Sequence, residues 1–233
     1  LNGKVTHEAS RVGKLEPMYR LLAGKTVDID GAVKLAYREI FTREPQADEL
    51  AEAKALLEQA GHEVLTLTND LSQFDQIPAM VDQVLAHYGR IDILLNNAGA
   101  SWGAPLDEFP ESGWDKVMDL NVKSVFFLTQ KLHPLLNAAA SADRPAKVIN
   151  IASIDGLRPN PWDTYSYQAS KAAVIHLTKR MAAELIKDNI VVSCIAPGAY
   201  PSEMNKAAAK NPEGSARGIP SKRIGVAEDI AGG

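Results

Sequence analysis

The sequence predicts an α/β fold, a parallel sheet with helices on both faces. Three observations carry that expectation. From residue 60 onward, short apolar runs alternate with longer stretches of helical periodicity. Several runs are near-continuously apolar, as strands buried on both faces should be. Polar or turn residues stand where the runs end: Asn96-Asn97, Ser153 and Pro197-Gly198. Strand–helix–strand repetition of this kind builds a parallel sheet, and such sheets bind ligands beyond the carboxyl ends of their strands.

The elements follow in order. HEVLTLT (62–68) reads as a strand ended by Asn69 and Asp70. Residues 72–88 place Phe74, Ile77, Val81, Val84, Leu85 and Tyr88 at helical spacing. IDILLNN (91–97) is a buried strand. A helix is expected at about 111–138, its stripe running through Trp114, Val117, Leu120, Val125, Phe126 and Leu132. AKVINIAS (146–153) is the next strand. A long helix over about 164–188 carries Ala172, Ala173, Ile175, Leu177, Met181 and Leu185. IVVSCIAP (190–197) is a strand closed by Pro197-Gly198. The first sixty residues differ. They hold two strongly helical stretches, DGAVKLAYREIFT and QADELAEAKALLEQA, split at Pro45, with TVDID (26–30) as a second candidate strand. One domain over 1–233 is expected, with an atypical segment at 1–60 and a regular core at 61–233.

Bulk properties narrow the function. The chain has 233 residues, 45% hydrophobic and 23% charged, with a formal net charge of −4. That charge argues against a nucleic-acid or anionic-membrane surface. Cys194 is the sole cysteine, so no internal disulfide forms, which fits a reducing, cytoplasmic setting. LNGKVTHEASRVGK offers neither a signal-peptide core nor a membrane span.

Four polar residues state a reaction type: Asn121, Ser153, Tyr167 and Lys171. A serine hydroxyl, a tyrosine hydroxyl and a lysine ammonium together make a proton-transfer site for a carbonyl or an alcohol. Tyr167 and Lys171 are four apart and share one face of a helix. A phenol titrates near pH 10, and a cation beside it lowers that value. Tyr165 has Ala169 at the same spacing, so Tyr167 alone has the lysine. Blander readings stand beside each residue. Ser153 is also a good cap or turn serine, Asn121 a buried polar residue, and Asp70 an N-cap for a helix near Ser72. Asn97-Ala98-Gly99 and Pro197-Gly198 also read as ordinary turns.

Together, NDLS (69–72), NNAG (96–99), Asn121 in DLNVKSV, NIAS ending at Ser153, YQASK (167–171) and APG (196–198) resemble the short-chain dehydrogenase/reductase family. The resemblance runs from about residue 62 to about 230. Within the family the chain is similar to 3-oxoacyl-acyl-carrier-protein reductases, especially the rhamnolipid-associated branch, through NNAGASWGAPLDEFPESGWDKVMDLNV and IAPGAYPSEM. The resemblance implies a Rossmann-like doubly wound sheet. It implies an oxidoreductase moving a hydride between a nicotinamide cofactor and a ketone or secondary alcohol. It makes Tyr167 the general acid in reduction and the base in oxidation. Lys171 would lower the Tyr167 pKa and hold the nicotinamide ribose. Ser153 would bind the substrate oxygen, and Asn121 would support a water linking Lys171 to solvent. Asp70, Asn97, Ala98, Gly99, Pro197, Gly198 and Ser202 would line the cofactor. No metal is assigned.

The chain also departs from the family pattern. The family's first βαβ unit opens with Thr-Gly-x-x-x-Gly-Ile-Gly, whereas Thr6 to Gly13 reads THEASRVG. His7 and Arg11 stand at the first two glycine positions, and a side chain there obstructs backbone approach to a pyrophosphate. The family pattern continues past RIGVAEDIAG into a last strand, so that strand is expected to be missing here. These departures keep open an alternative, an inactive enzyme or a binding or scaffold protein on the same fold. Cofactor choice is NADP(H) ahead of NAD(H): Arg11 and the acyl reductases point to NADP, Asp28 or Asp30 to NAD. The expected partners are a small carbonyl or alcohol substrate, with specificity mostly in the loop around 200–220. The family also implies a second copy of the chain, in a dimer or tetramer built on the 111–138 and 164–188 helices.

Overall fold

The computed structural model describes residues 63–201 and 210–226, with single positions 55, 58, 61, 205, 208 and 229. The sequence features assigned to 1–54, and Ser202, lie outside the described residues. The chain divides into two compact units. The larger comprises Val33–Glu44 and Leu65–Pro197. The smaller comprises Leu1–Ala32, Pro45–Val64 and Gly198–Gly233.

Among its described residues, the larger unit is built on three parallel strands in the order β1 (Ile93–Asn96), β2 (Ala146–Ile151) and β3 (Ile190–Ile195). Asn96 is opposite Asn150, and Asn150 is opposite Cys194. All three strands fall inside the runs read from sequence. One face, bearing Leu94, Val148, Ile190 and Val192, is buried in the core. On the other, Leu95, Val191 and Ile195 are 43%, 40% and 39% exposed. Burial along β1 and β3 therefore alternates, where continuous apolar runs had pointed to strands buried on both faces.

Among the described residues, four helices belong to this unit: α1 (Ile77–Tyr88), α2 (Glu111–Met118), α3 (Ser124–Ala139) and α4 (Tyr165–Leu185). Val84, Tyr88, Leu128, Leu132, Leu136 and Met181 join the sheet residues in one core. Each such side chain contributes about 1.5–3 kcal/mol when fully buried. Helix α4 ends in a 3-10 turn, Ile186–Asp188, and Asn189 in the left-handed region (φ 57°) redirects the chain into β3. Asparagine tolerates that conformation better than most residues.

Three expectations change. Among the described residues, 63–68 of the expected 62–68 strand carry no strand pairing. Leu65 and Leu67 nonetheless pack on the core, and the Leu65 N–H donates to the Tyr88 hydroxyl at 2.9 Å. Apolar alternation encodes burial, whereas a ladder also needs a second backbone alongside. Helix α1 begins at Ile77 and not near Ser72. Pro78 suits a first turn, and Asp70 closes a separate turn, accepting from Ser72 N at 2.9 Å and Ser72 Oγ at 2.7 Å. The expected 111–138 helix is interrupted by a π-helical turn, Asp119–Lys123, centred on Asn121.

In the smaller unit, α5 (Pro212–Ala216) is capped by Asn211, whose side chain accepts from Gly214 N at 2.9 Å. Arg223 makes a two-pronged pair with Asp229 at 2.6 and 2.7 Å. Among the described residues, no helix is long and apolar enough to cross a membrane.

Candidate active site

Ser153 stands just beyond the carboxyl end of β2, where the chain turns into a 3-10 turn at Ile154–Gly156. Its hydroxyl accepts from Asp155 N at 3.1 Å, so the capping reading is realised in the same residue. The strand direction continues past the ladder: Ala152 N donates to Ile195 O at 2.8 Å and Ile154 N to Pro197 O at 3.0 Å. Those bonds set Pro197 beside the Ser153 turn. Tyr167 and Lys171 lie one turn apart on α4, as their spacing requires.

Gly156 fixes how the Ser153 turn meets α4. A β-carbon there would lie 2.5 Å from Lys171 C and 2.7 Å from Ala172 N and Lys171 O. Only glycine permits that backbone-to-backbone approach. The turn bearing Ser153 is thereby seated directly on the helical turn bearing Lys171.

Lys171 is buried, and its ammonium donates to Ile151 O at 2.7 Å. Burial pushes its pKa down from 10.5 to about 8. The ammonium is 5.6 Å from the centre of the Tyr167 ring. Burial pushes the Tyr167 phenol above its ordinary value; the Ser153 hydroxyl opposes this and Asp155 adds to it. Desolvation dominates the phenol, and the lysine is turned to a main-chain carbonyl.

Asn121 is almost fully buried at the π turn. Its Oδ1 accepts from Ala100 N at 2.7 Å. Its Nδ2 donates to Ala100 O at 3.0 Å and to Ser170 Oγ at 2.9 Å. Ser170 in turn donates to Tyr167 O at 2.7 Å. A π turn adds one residue to the helix and re-aims the side chains around it, which is why such turns recur at functional sites. Here the Asn121 amide meets both the Ala100 backbone and Ser170 Oγ, and those bonds together tie the loop after β1 to α4. Asn121 is thus directly engaged with Ala100 and Ser170. Ala100, Ser170, Gly156 and the Ile151 carbonyl were not singled out from sequence. Ser170 was accessible in principle, being three residues after Tyr167 on the same helix. The other three depend on segments meeting across the fold.

Asn97 is exposed, Ala98 half-buried and Gly99 buried after β1. A β-carbon at Gly99 would sit 3.4 Å from Asn121 Oδ1 and 3.6 Å from Lys171 Nζ. Lys171 has three N–H donors. Beyond the Ile151 bond it can still meet ribose hydroxyls beside this backbone, so these residues fit a nicotinamide nucleotide. Asp70 lies on the surface in its own turn. Gly198 is exposed and opens the smaller unit. Beneath the site, Asn96 Nδ2 donates to Asn150 Oδ1 at 2.8 Å, and Asn150 Nδ2 donates to Thr178 Oγ1 at 2.9 Å. With Asn96 to Thr129 at 3.3 Å, this buried chain links α3, β1, β2 and α4.

Comparison with known proteins accords with this geometry. The short chain dehydrogenase family model matches residues 33–213. The rhamnolipids biosynthesis 3-oxoacyl-[acyl-carrier-protein] reductase of Pseudomonas aeruginosa is 48% identical over 145 residues, 61% of this chain and 57% of the relative. The chain thus matches little more than half the length of that relative. The structure of the Pseudomonas aeruginosa RhlG/NADP active-site complex superposes with a TM-score of 0.75 at 41% identity, covering 80% of this chain and 73% of that one. A 3-oxoacyl-[acyl-carrier protein] reductase from Brucella melitensis in complex with NAD superposes with a TM-score of 0.70 at 27% identity, covering 82% and 76%. These superpositions identify the parallel sheet and its helices as the doubly wound, Rossmann-like fold. The chain belongs to the short-chain dehydrogenase family.

Proposed function

We propose that the protein is a nicotinamide-dependent oxidoreductase that reduces a ketone to a secondary alcohol, with a 3-oxoacyl group as substrate and NADP(H) as cofactor. One observation carries the reading. Gly156 seats the Ser153 turn on the turn of α4 that carries Lys171, one helical turn from Tyr167. A tyrosine phenol, titrating at about 10 or above, holds its proton at neutral pH and so has one to give to a carbonyl oxygen.

In this reading Ser153 donates a hydrogen bond to the substrate oxygen as negative charge grows there. Tyr167 transfers its proton to the same oxygen. Lys171, anchored on Ile151 O, holds the ribose hydroxyls and presents positive charge near the phenol. Asn97, Ala98, Gly99 and Pro197 line the cofactor, with Asp70, Gly198 and Ser202 as further contacts. The bound cofactor supplies the hydride. Asn121 positions Lys171 and Tyr167 indirectly, through Ala100 and Ser170. The relative named as a 3-oxoacyl reductase and the NADP complex support this substrate and cofactor, while the NAD complex makes NADH the necessary second arm. A cytoplasmic homo-oligomer, dimer or tetramer, belongs to the same proposal and is read by light scattering.

The test is oxidation of NADPH, and separately NADH, in the presence of a 3-oxoacyl thioester. Turnover with NADPH at the higher kcat/KM supports the full reading. Turnover with NADH alone retains the reaction and overturns the cofactor. If neither nucleotide binds, the alternative of an inactive enzyme or binding protein replaces it.

A further inference from the structure

We propose that Gln168 is a positioning residue for substrate specificity: it clamps the 160–164 loop onto α4 so that Trp162 forms a fixed apolar wall for the substrate's acyl chain. The substrate half rests on the reading above, whereas the clamp rests on geometry alone. Gln168 directly follows Tyr167 on α4. Its Oε1 accepts from Asn160 N at 3.1 Å. Its Nε2 lies 3.1 Å from Asn160 Oδ1, 3.1 Å from Trp162 O and 3.3 Å from Thr164 Oγ1. The main-chain N–H of Asn160 can only donate, which fixes Oε1 as the acceptor and Nε2 as the donor. Asn160 Oδ1 also accepts from Trp162 N at 2.9 Å. One side chain thus gathers four groups of a five-residue loop, with no other glutamine or asparagine orientation satisfying them.

The held loop stands at the ligand-binding end of the sheet. It follows β2 and the Ser153 turn, and it is bridged to the loop after β1 by Ala104 N donating to Asp163 O at 3.1 Å. Trp162 is nonetheless 64% exposed, and Leu157 beyond the Ser153 turn is exposed as well. Neither ring nor side chain is needed by the core, whose members lie elsewhere. Trp162 and Leu157 thus leave apolar surface in water, Trp162 on a loop that Gln168 holds to α4. Continuity with Ser153 and Tyr167 commits it to the part of the substrate beyond the reacting carbonyl, an apolar chain.

The experiment labels the protein with fluorotryptophan. Its three tryptophans yield three fluorine resonances, with Trp162 assigned by Trp162→Phe. In Gln168→Leu the Trp162 resonance moves and sharpens toward that of a free side chain, while those of Trp102 and Trp114 stay in place. An unmoved Trp162 resonance overturns the clamp. If Gln168→Leu collapses all three, Gln168→Glu, which keeps the acceptor and removes the donors, supplies the same reading. In kinetics, KM for a 3-oxodecanoyl thioester rises roughly tenfold or more in Gln168→Leu, while KM for acetoacetyl thioester changes far less. Trp162→Ala does the same, and the double variant is no worse than either single. Equal losses on both thioesters, or additive losses, overturn the specificity role. A wild-type protein that reduces neither thioester overturns the substrate reading, while the fluorine spectrum still decides the clamp.

Discussion

Replacing Gly156 by alanine tests whether the Ser153 turn and α4 form one rigid unit. The added β-carbon would lie 2.5 Å from Lys171 C, where ordinary contact begins at 3.4 Å. The turn and the helix must therefore separate by about 0.9 Å, the difference between those distances, because both clashing partners are main chain. Overpacking of that kind costs about 1–3 kcal/mol. The entropic gain of alanine over glycine in the unfolded chain returns about 0.4–1 kcal/mol. A net loss of about 1–2 kcal/mol lowers Tm by roughly 2–8 °C in a chain of this size. Activity suffers more than stability, since about 1 Å of misplacement between catalytic groups costs on the order of a hundredfold. Differential scanning calorimetry and kcat at saturating NADPH measure the two effects. Gly218→Ala is the stability control, because nothing lies within 4 Å of its β-carbon position. A Gly156→Ala protein with unchanged kcat would refute the claim that this contact sets the site.

Tyr167→Phe removes the proton donor and keeps the ring. It lowers kcat by about a hundred- to ten-thousandfold with nucleotide binding intact; retained turnover removes Tyr167 from the mechanism. Burial holds Lys171 at about 8 against 10.5. Between those pH values the unfolded chain binds the extra proton, so the penalty on the folded state is complete below pH 8 and is relieved as pH rises. The unfolding free energy of wild type relative to Lys171→Met thus gains on the order of 3 kcal/mol from pH 8 to 10.5. Urea titrations at stepped pH read this, and a flat difference contradicts it. Asn121→Ala leaves the Ala100 N–H and C=O without their side-chain partner. It destabilises by roughly 2–4 kcal/mol, measured by the urea midpoint, whereas a loss under a few tenths would mean the π turn does not depend on that amide.

Much of the fold was legible because its signals are local. The runs at 91–97, 146–153 and 190–197 each contain the observed strand, since apolar side chains in short runs mark strands wherever they pair. Helix α4 was legible over nearly its whole length, and with it the Tyr167–Lys171 spacing. The π turn was not, because the apolar stripe through Leu120 and Val125 continues across it. The amide of Asn121 that meets Ala100 is 21 residues away in sequence. Gln168 was invisible for a similar reason: a glutamine on a helix reads as surface until the loop it grips is in place.

The sequence by itself determined the order of strands and helices and put Ser153, Tyr167 and Lys171 at positions from which they can converge. Periodicity and residue type do that, because side chains three, four or two apart share a face whatever surrounds them. The tertiary structure decided their chemical state. Lys171 reaches Ile151 O across 20 residues of chain, and Tyr167 is desolvated by burial in the folded chain. Protonation and hydrogen-bond partners depend on what is brought nearby and how much water is excluded, and neither is written in local spacing.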